Sequence, residues 1–161
     1  MLPLRNSNNC LFIQHHWLLR KVNAIDTLTP EKRSWNMSRI KGQNTGPERQ
    51  LRSLLHNSGL RFRLHRKDLP GKPDIVLPKY KTVIFVNGCF WHRHKGCTLA
   101  YTPKSRVDFW LAKFERTIER DAQKTRELRV AGWNVLIVWE CEINSEPGLC
   151  LERVLTALRE G

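Results

Sequence analysis

The chain has 161 residues, and its 28 Lys and Arg outnumber its 15 Asp and Glu to give a formal net charge of +13 and a pI near 10.1. This length suits one domain with a single core, and such a charge excess favours a polyanionic partner, chiefly nucleic acid. We expect no membrane association, because no apolar run is long enough for a span and no basic amphipathic helix lies outside the expected core.

Residues 1–28 are expected to be a poorly ordered, non-secreted N-terminal extension. Polar residues interrupt their apolar stretches, and the basic pair Arg20-Lys21 follows those stretches, whereas a signal peptide carries its charge in front. Residues 29–46 are predicted to be a basic segment, in which Thr29 caps a helix with Pro30 at its first position. Residues 47–161 are the predicted core.

The elements of the core follow from apolar periodicity and from the residues that interrupt it. Leu51, Leu54 and Leu55 share one helical face, and Gly59 is placed to end that helix. The resulting order predicts an α/β fold, a small mixed sheet flanked by helices. The predicted elements are a helix over 47–59, strands over 61–65, 74–77 and 82–86, a helix over 106–131, a strand over 134–139 and a helix over 149–158.

Four residues have the ligand types and spacing of a tetrahedral zinc site. Cys89, His94 and Cys97 lie in one loop after an apolar strand, and Cys141 directly follows another apolar strand. Four protein ligands close the coordination sphere, which predicts structural rather than catalytic zinc. The alternative is that these cysteines are ordinary buried small residues. An odd total of five cysteines, unevenly spaced, also favours a cytosolic metal site over disulfides.

Large aromatic residues lie between these ligands. Phe90 and Trp91 are predicted to lie in a loop rather than in a core element, and a metal-braced loop in a basic protein could place them between DNA bases. His92 is not needed for the zinc and is free to act as a general base or to orient water.

Two acidic residues stand where packing does not explain them. Asp74 begins an apolar strand, and it is either an exposed strand-end acid or a catalytic group. The metal site of restriction endonucleases is marked by Pro-Asp on one strand and acid-x-Lys on the next. Here the second strand carries Ile84-Phe85-Val86 at that place, which has neither the acid nor the lysine. Asp121 lies between Ile118 and Thr125 in the apolar seam of the long helix, so it needs a metal, a cation or hydrogen-bond donors; a buried salt bridge is the alternative.

Between Lys32 and Glu142 the chain resembles the Vsr-type very short patch repair endonucleases. The string GCFWH at 88–92 is specific, and its occurrence in order with the other strings is not expected by chance. The matching strings are Arg33-Ser34-x-Asn36-Met37-x-x-Ile40, Glu48, Leu69-Pro70-Gly71-x-Pro73-Asp74, Gly88-Cys89-Phe90-Trp91-His92, Phe109-Trp110-Leu111, Glu119-Arg120-Asp121 and Val135-Leu136-Ile137-Val138-Trp139-Glu140-Cys141.

The resemblance implies a restriction-endonuclease-like (PD-(D/E)xK-type) fold and magnesium-dependent nicking of DNA. Asp74 would bind Mg²⁺ together with the backbone carbonyl of Val86, and Glu48 would hold water of the ion's shell. His92 would help to activate the attacking water, and Asp121 would support the site from the long helix. The four cysteine and histidine ligands would hold structural Zn²⁺.

The substrate implied is double-stranded DNA with a T·G mispair, which arises when 5-methylcytosine deaminates, and the nick falls 5′ to the thymine. The protein is therefore expected to act as a monomer in the bacterial cytoplasm at the nucleoid, functionally linked to a cytosine-5 DNA methyltransferase. The residues expected to contact DNA are Arg33, Asn36, Met37 and Ile40 of the N-terminal segment and Phe90, Trp91 and Trp110. Met37 and Ile40 would enter from the minor groove, and the three aromatic residues from the major groove.

Asn87 departs from the family pattern, because the best-known members carry a histidine directly before GCFWH. Asparagine cannot transfer a proton at neutral pH, although it can bond Asp121 or orient water. Two alternatives stay open, and Asn87 is the motive for the second. One is a sequence-preferring nuclease on the same scaffold without mismatch specificity, and the other is a catalytically weak, zinc-stapled DNA-binding module.

Overall fold

The fold is given by a computed structural model that describes residues 29–39 and 42–160. The expectations for residues 1–28 and for Ile40 therefore lie outside the described residues, as does the side chain of Arg33. The elements in chain order are α1 (Pro30–Ser38), α2 (Gly46–Asn57), β1 (Arg63–Leu64), β2 (Ile75–Leu77), β3 (Thr82–Asn87), α3 (Cys89–His92), α4 (Val107–Val130), β4 (Asn134–Trp139), α5 (Glu140–Ser145) and α6 (Pro147–Glu160).

Four strands form one mixed sheet in the order β1-β2-β3-β4. The pairs β1–β2 and β2–β3 are antiparallel, and β3–β4 is parallel, with α4 as the crossover between them. Ile75 pairs with Ile84, so Asp74 lies one position further along, opposite Phe85. The predicted hairpin and its register are confirmed.

Helices cover both faces of the sheet. On one face, Leu51 and Leu55 of α2 pack with Val154 and Leu158 of α6 against the strands, and all four are buried. On the other face, Leu128 of α4 packs against Val76 and Val83. The predicted mixed sheet flanked by helices is therefore confirmed. No helix in ranges 29–39 and 42–160 is long and apolar enough to cross a membrane.

Side-chain caps define both N-terminal helices. The hydroxyl of Thr29 accepts a hydrogen bond from the Lys32 N–H at 3.3 Å, as the sequence predicts. Thr45 and Glu48 form a reciprocal capping box that starts α2. This box was not predicted, and it means that Glu48 has a structural role as well as a place in the site.

Two expectations about local structure were wrong, and one short helix was not predicted. Phe90 and Trp91 lie in the one-turn helix α3 rather than in a loop, and α5 was missed. In the long helix, Val107, Leu111 and Ile118 are exposed by 41%, 45% and 49%, so the apolar seam is covered only in part. A 24-residue helix is about 36 Å long, whereas six-residue strands span about 20 Å, so α4 extends beyond the sheet.

Candidate active site

Asp74 directly precedes the interior strand β2, and its carboxylate is turned towards β3. Its Oδ2 accepts a hydrogen bond of 2.8 Å from the Val86 N–H, while its side chain remains 18% exposed. Burial raises the pKa of Asp74, the carboxylate of Glu48 adds to the rise, and the Val86 hydrogen bond opposes it. A bound cation would offset the cost of that buried charge, so the donor set fits a hard divalent ion.

Pro70 to Asp74 follows a tight turn that has no room for a larger residue. Gly71 has φ +76°, and a Cβ added there would lie 3.2 Å from both the Phe85 ring and Lys124 Cβ. A side chain at this position would be strained by the positive φ and crowded by both neighbours, which favours glycine. The turn therefore places the start of β2 directly against β3 and α4.

Glu48 is 3% exposed and is saturated with hydrogen bonds. Its Oε1 accepts from the Thr45 N–H at 3.3 Å and from the Thr45 hydroxyl at 3.0 Å. Its Oε2 accepts from the Asn44 N–H at 2.9 Å and from Arg52 at 2.6 Å. A carboxylate has about four acceptor positions, so Glu48 can hold water only where one of these contacts yields; the 3.3 Å contact is the longest.

His65 also belongs to this site, and sequence reasoning missed it. Single donor atoms of Glu48, His65 and Asp74 lie within 4.8 Å of one another. His65 follows β1 in the left-handed region with φ +46°. In the sequence, a histidine in a basic and weakly alternating segment does not indicate that it lies beside Asp74. In the structure, the left-handed backbone of His65 requires a compensating contact.

His92 and Asp121 form a second pair of titratable residues. The Nδ1 of His92, at the end of α3, lies 2.5 Å from Oδ2 of Asp121 in α4. A carboxylate can only accept, so Nδ1 carries the hydrogen and Nε2 is free to accept a proton. This arrangement suits a histidine that acts as a general base.

Asn87 ends β3 and is 8% exposed. Within the described part of the chain, Asn87 does not hydrogen-bond Asp121. The carboxylate of Asp121 instead contacts His92, and Arg120 lies nearby. Of the two roles open to Asn87, a bond to Asp121 or the orientation of water, the first is therefore not made among the described residues. Asn87 nevertheless borders the same groove as both carboxylates.

The four expected zinc ligands lie together. Donor atoms of Cys89, His94, Cys97 and Cys141 lie within 4.8 Å of one another. The Nδ1 of His94 is 3.7 Å from Cys89 Sγ and 3.2 Å from Cys141 Sγ, and ligands around a tetrahedral zinc ion stand about 3.6 Å apart. The His94 ring stacks on Trp139 with centroids 4.2 Å apart, which fixes its orientation.

Burial acts strongly on the thiols of this cluster. It raises the pKa of Cys89 to about 12 and also raises the pKa of Cys141. The Leu99 N–H lowers the pKa of Cys97. Buried thiols become thiolates when a soft cation binds them, and the set of three sulfurs and one imidazole nitrogen fits zinc.

Aromatic side chains surround Phe90 beside this cluster. Its ring centroid lies 5.0 Å from Trp91, 5.5 Å from Trp110 and 5.3 Å from the buried Phe114. The ammonium of Lys113 lies 4.8 Å from the Trp91 ring and 5.5 Å from that of Trp110. The expected aromatic set is thus one packed group with a cation at its surface.

A groove of about 1790 Å³ is bordered by Asp74, by the His92–Asp121 pair and by the aromatic side chains around Phe90. Ser34 and Met37 of α1 border it at one side, whereas Asn36 is exposed but does not border it. Positive side chains surround the acidic centre, which suits a phosphate backbone approaching a metal-binding carboxylate. The basic residues that line the groove are Lys67, Lys72, Arg106, Lys113, Arg120 and Lys124.

Residues 25–98 match the family described as DNA mismatch endonuclease Vsr. The chain is 52% identical over 119 residues to the type II nicking enzyme V.XorIIP of Xanthomonas oryzae, covering 74% of this chain and 87% of the relative. It is 44% identical over 128 residues to the DNA mismatch endonuclease Vsr of Escherichia coli, covering 80% and 81%. The catalytic domain of homing endonuclease I-Bth0305I superposes with a TM-score of 0.46 at 21% identity, covering 69% and 92%.

Proposed function

The chain belongs to the Vsr family of DNA mismatch endonucleases, and from that premise we propose its substrate, its metals and the role of each site residue. It is a nicking endonuclease of very short patch repair. Its substrate is duplex DNA with a T·G mispair, and it nicks the thymine strand on the 5′ side. The observation that carries this proposal is the groove that holds Asp74, the His92–Asp121 pair and the aromatic group together.

Asp74 and the backbone carbonyl of Val86 hold Mg²⁺. In a β-strand the N–H and C=O of one residue point to the same side of the strand. Because the Val86 N–H donates to Asp74, the carbonyl of Val86 also points to the side on which the Asp74 carboxylate lies. Mg²⁺, when bound, offsets charge on the scissile phosphate and the leaving oxygen. This is a restriction-endonuclease-like site in which a main-chain oxygen stands where acid-x-Lys is missing.

His92 takes a proton from the attacking water. Asp121 holds the ring with hydrogen on Nδ1, which leaves Nε2 as the base, and it stabilises the charged ring that results. Glu48 keeps water in place beside Asp74 through the acceptor position that its 3.3 Å contact with the Thr45 N–H gives up, and Asn87 orients water from the end of β3. Neither of these two residues transfers a proton in this scheme.

Zn²⁺ in the four-ligand cluster has a structural role. Cys89 precedes Phe90 and Trp91 directly, and Cys141 belongs to α5, so the ion ties the aromatic residues to the sheet. A helix of one turn is not stable alone. The cluster therefore supplies the rigidity that an intercalating side chain requires.

The aromatic group enters the base stack at the mismatch. Phe90, Trp91 and Trp110 wedge from the major groove, while Met37 and Ile40 enter the minor groove from the segment 29–46. Arg33 and Asn36 contact the DNA beside them. A mispaired step unstacks at lower cost than a normal one, which gives selectivity without many base contacts.

The cellular setting follows from this substrate. T·G mispairs appear where a cytosine-5 DNA methyltransferase has acted, so the two proteins are functionally linked. We expect the protein to act as a monomer in the bacterial cytoplasm, at the nucleoid, with residues 47–161 as the endonuclease core and residues 1–28 outside it.

Cleavage of labelled duplexes tests the proposal. Two duplexes differ only in a T·G or a T·A pair at one site, and Mg²⁺ is added to each. We expect one nick, 5′ to the thymine, in the T·G duplex alone. Equal cutting of both duplexes would contradict mismatch specificity, and binding without cleavage would contradict the assignment as an active enzyme.

A further inference from the structure

A buried network beside Asp74 has hydrogen-bond directions that its chemistry determines. Arg52 NH2 lies 2.6 Å from Glu48 Oε2 and 3.0 Å from His65 Nε2. A guanidinium offers donors only, so His65 Nε2 must accept and carries no hydrogen. The neutral ring then carries its hydrogen on Nδ1.

That Nδ1 group lies near the carboxylate of Asp74. It is buried without a hydrogen-bond partner among the described residues, and it lies 3.8 Å from Asp74 Oδ1. A closure of about 1 Å would bring the pair to ordinary hydrogen-bond length. The other oxygen of Asp74 is already held by the Val86 N–H, so this contact would hold the carboxylate from both sides.

We propose that His65 is a positioning residue that orients Asp74 for its divalent ion, and that Arg52 holds His65 in the tautomer which this task requires. The inference rests on the proposed function, since it assumes an ion at Asp74. It assigns His65 no place among the ligands, although its ring lies within 4.8 Å of both carboxylates. Ligation through Nδ1 would move the hydrogen to Nε2, against the N–H of Arg52.

The backbone angles of the residues around Arg52 support a fixed position for His65. Besides Glu48, the side chains that contact Arg52 are Asn44 at 2.6 Å and His65 at 3.0 Å. Both of these residues have left-handed φ angles, 57° and 46°. Such conformations persist where surrounding contacts maintain them, and they cluster at functional sites.

Two substitutions at one position separate positioning from packing. His65→Asn keeps an N–H donor near the place of Nδ1 and suits the left-handed backbone, whereas His65→Ala removes the donor. Binding of Mn²⁺, measured by EPR titration, and single-turnover nicking with Mg²⁺ are the readouts. We expect His65→Ala to weaken metal affinity or nicking by about 10- to 100-fold, and His65→Asn to recover most of the loss. His56→Asn, an exposed control on α2, should match the unsubstituted protein.

Pulsed EPR of the Mn²⁺-loaded, zinc-replete protein tests the ligand question. We expect no directly coordinated nitrogen that depends on His65. A nitrogen coupling present in the unsubstituted protein and lost in His65→Ala would overturn the inference, as would wild-type affinity and rate in His65→Ala, or no recovery in His65→Asn. Asp74→Asn is run in parallel: unchanged Mn²⁺ binding there would remove the proposed metal site itself, while lost binding there with an unaffected His65→Ala would refute the positioning role alone.

Discussion

His92 Nδ1 and Asp121 Oδ2 lie 2.5 Å apart, and this contact joins the one-turn helix α3 to the long helix α4. The position of His92, the proposed general base, therefore depends on the same short helix that carries Phe90 and Trp91. A change that displaces α3 will alter both the chemistry and the contact with the base stack.

Asp121→Asn is expected to reduce single-turnover nicking by about 10³- to 10⁴-fold, because the amide no longer enforces hydrogen on Nδ1 of His92. Binding of the T·G duplex, measured by fluorescence anisotropy, should change little. Asp108→Asn is the matched control, since Asp108 is an exposed acid in the first turn of the same helix. Equal nicking by the Asp121 and Asp108 variants would remove the pair from the mechanism.

Cys141→Ser should lower zinc content and stability together. Structural zinc contributes folding free energy, and a loss of about 3 kcal/mol corresponds to about 10 °C in melting temperature for a domain of this size. Zinc is measured by mass spectrometry and melting by circular dichroism. Cys150→Ser is the control, because Cys150 is buried outside the cluster. Full zinc content in the Cys141 variant would refute the ligand assignment.

Trp91→Ala should reduce the preference for T·G over T·A duplexes by about tenfold or more, because stacking on a base contributes about 1–3 kcal/mol. The Trp91 ring packs on Phe90 at 5.0 Å and beneath Lys113 at 4.8 Å. Dissociation constants for the two duplexes measure the change. A preference that survives intact would show that other side chains select the mismatch.

Asp74→Asn should raise the melting temperature at neutral pH when no Mg²⁺ is added. Burial raises the pKa of Asp74. As the pH rises, the carboxyl group of Asp74 therefore ionises in the unfolded chain before it ionises in the folded protein, and the free energy of unfolding falls until the pH reaches the raised pKa. The amide removes this cost while it still accepts from Val86. The gain should be absent below the ordinary carboxyl pKa and should grow as the pH rises to the raised pKa of Asp74. A destabilised variant at neutral pH would contradict the direction of the shift.

Much of the fold was predictable because its signals are local. The run NVLIVW at 134–139 matched β4 at both ends, and Thr29 capped α1 as its sequence indicates. The seam of α4 was less predictable, since periodicity shows which residues share a face but not how far the sheet reaches beneath them. Val107 and Ile118 are exposed for that reason.

The site was predictable where its residues have unusual chemistry for their position. The cysteines and the lone carboxylate of Asp74 stood out, whereas His65 and Arg52 did not. These two residues come together only when the segment after α2 folds back against that helix, which no local pattern shows. The full set of hydrogen bonds on the Glu48 carboxylate was also not predictable, because Thr45 and Glu48 form a capping box and also line the groove. Residues that serve folding and function together are poorly separated by sequence patterns.

Single-turnover nicking by Asp74→Asn tests the central claim most directly. With saturating protein, a labelled T·G duplex and a Mg²⁺ titration, we predict a rate lower by about 10³-fold or more, with duplex affinity close to that of the unsubstituted protein. Nicking at the unsubstituted rate, with the same Mg²⁺ dependence, would contradict the account, because the carboxylate at the start of β2 would then hold no catalytic ion.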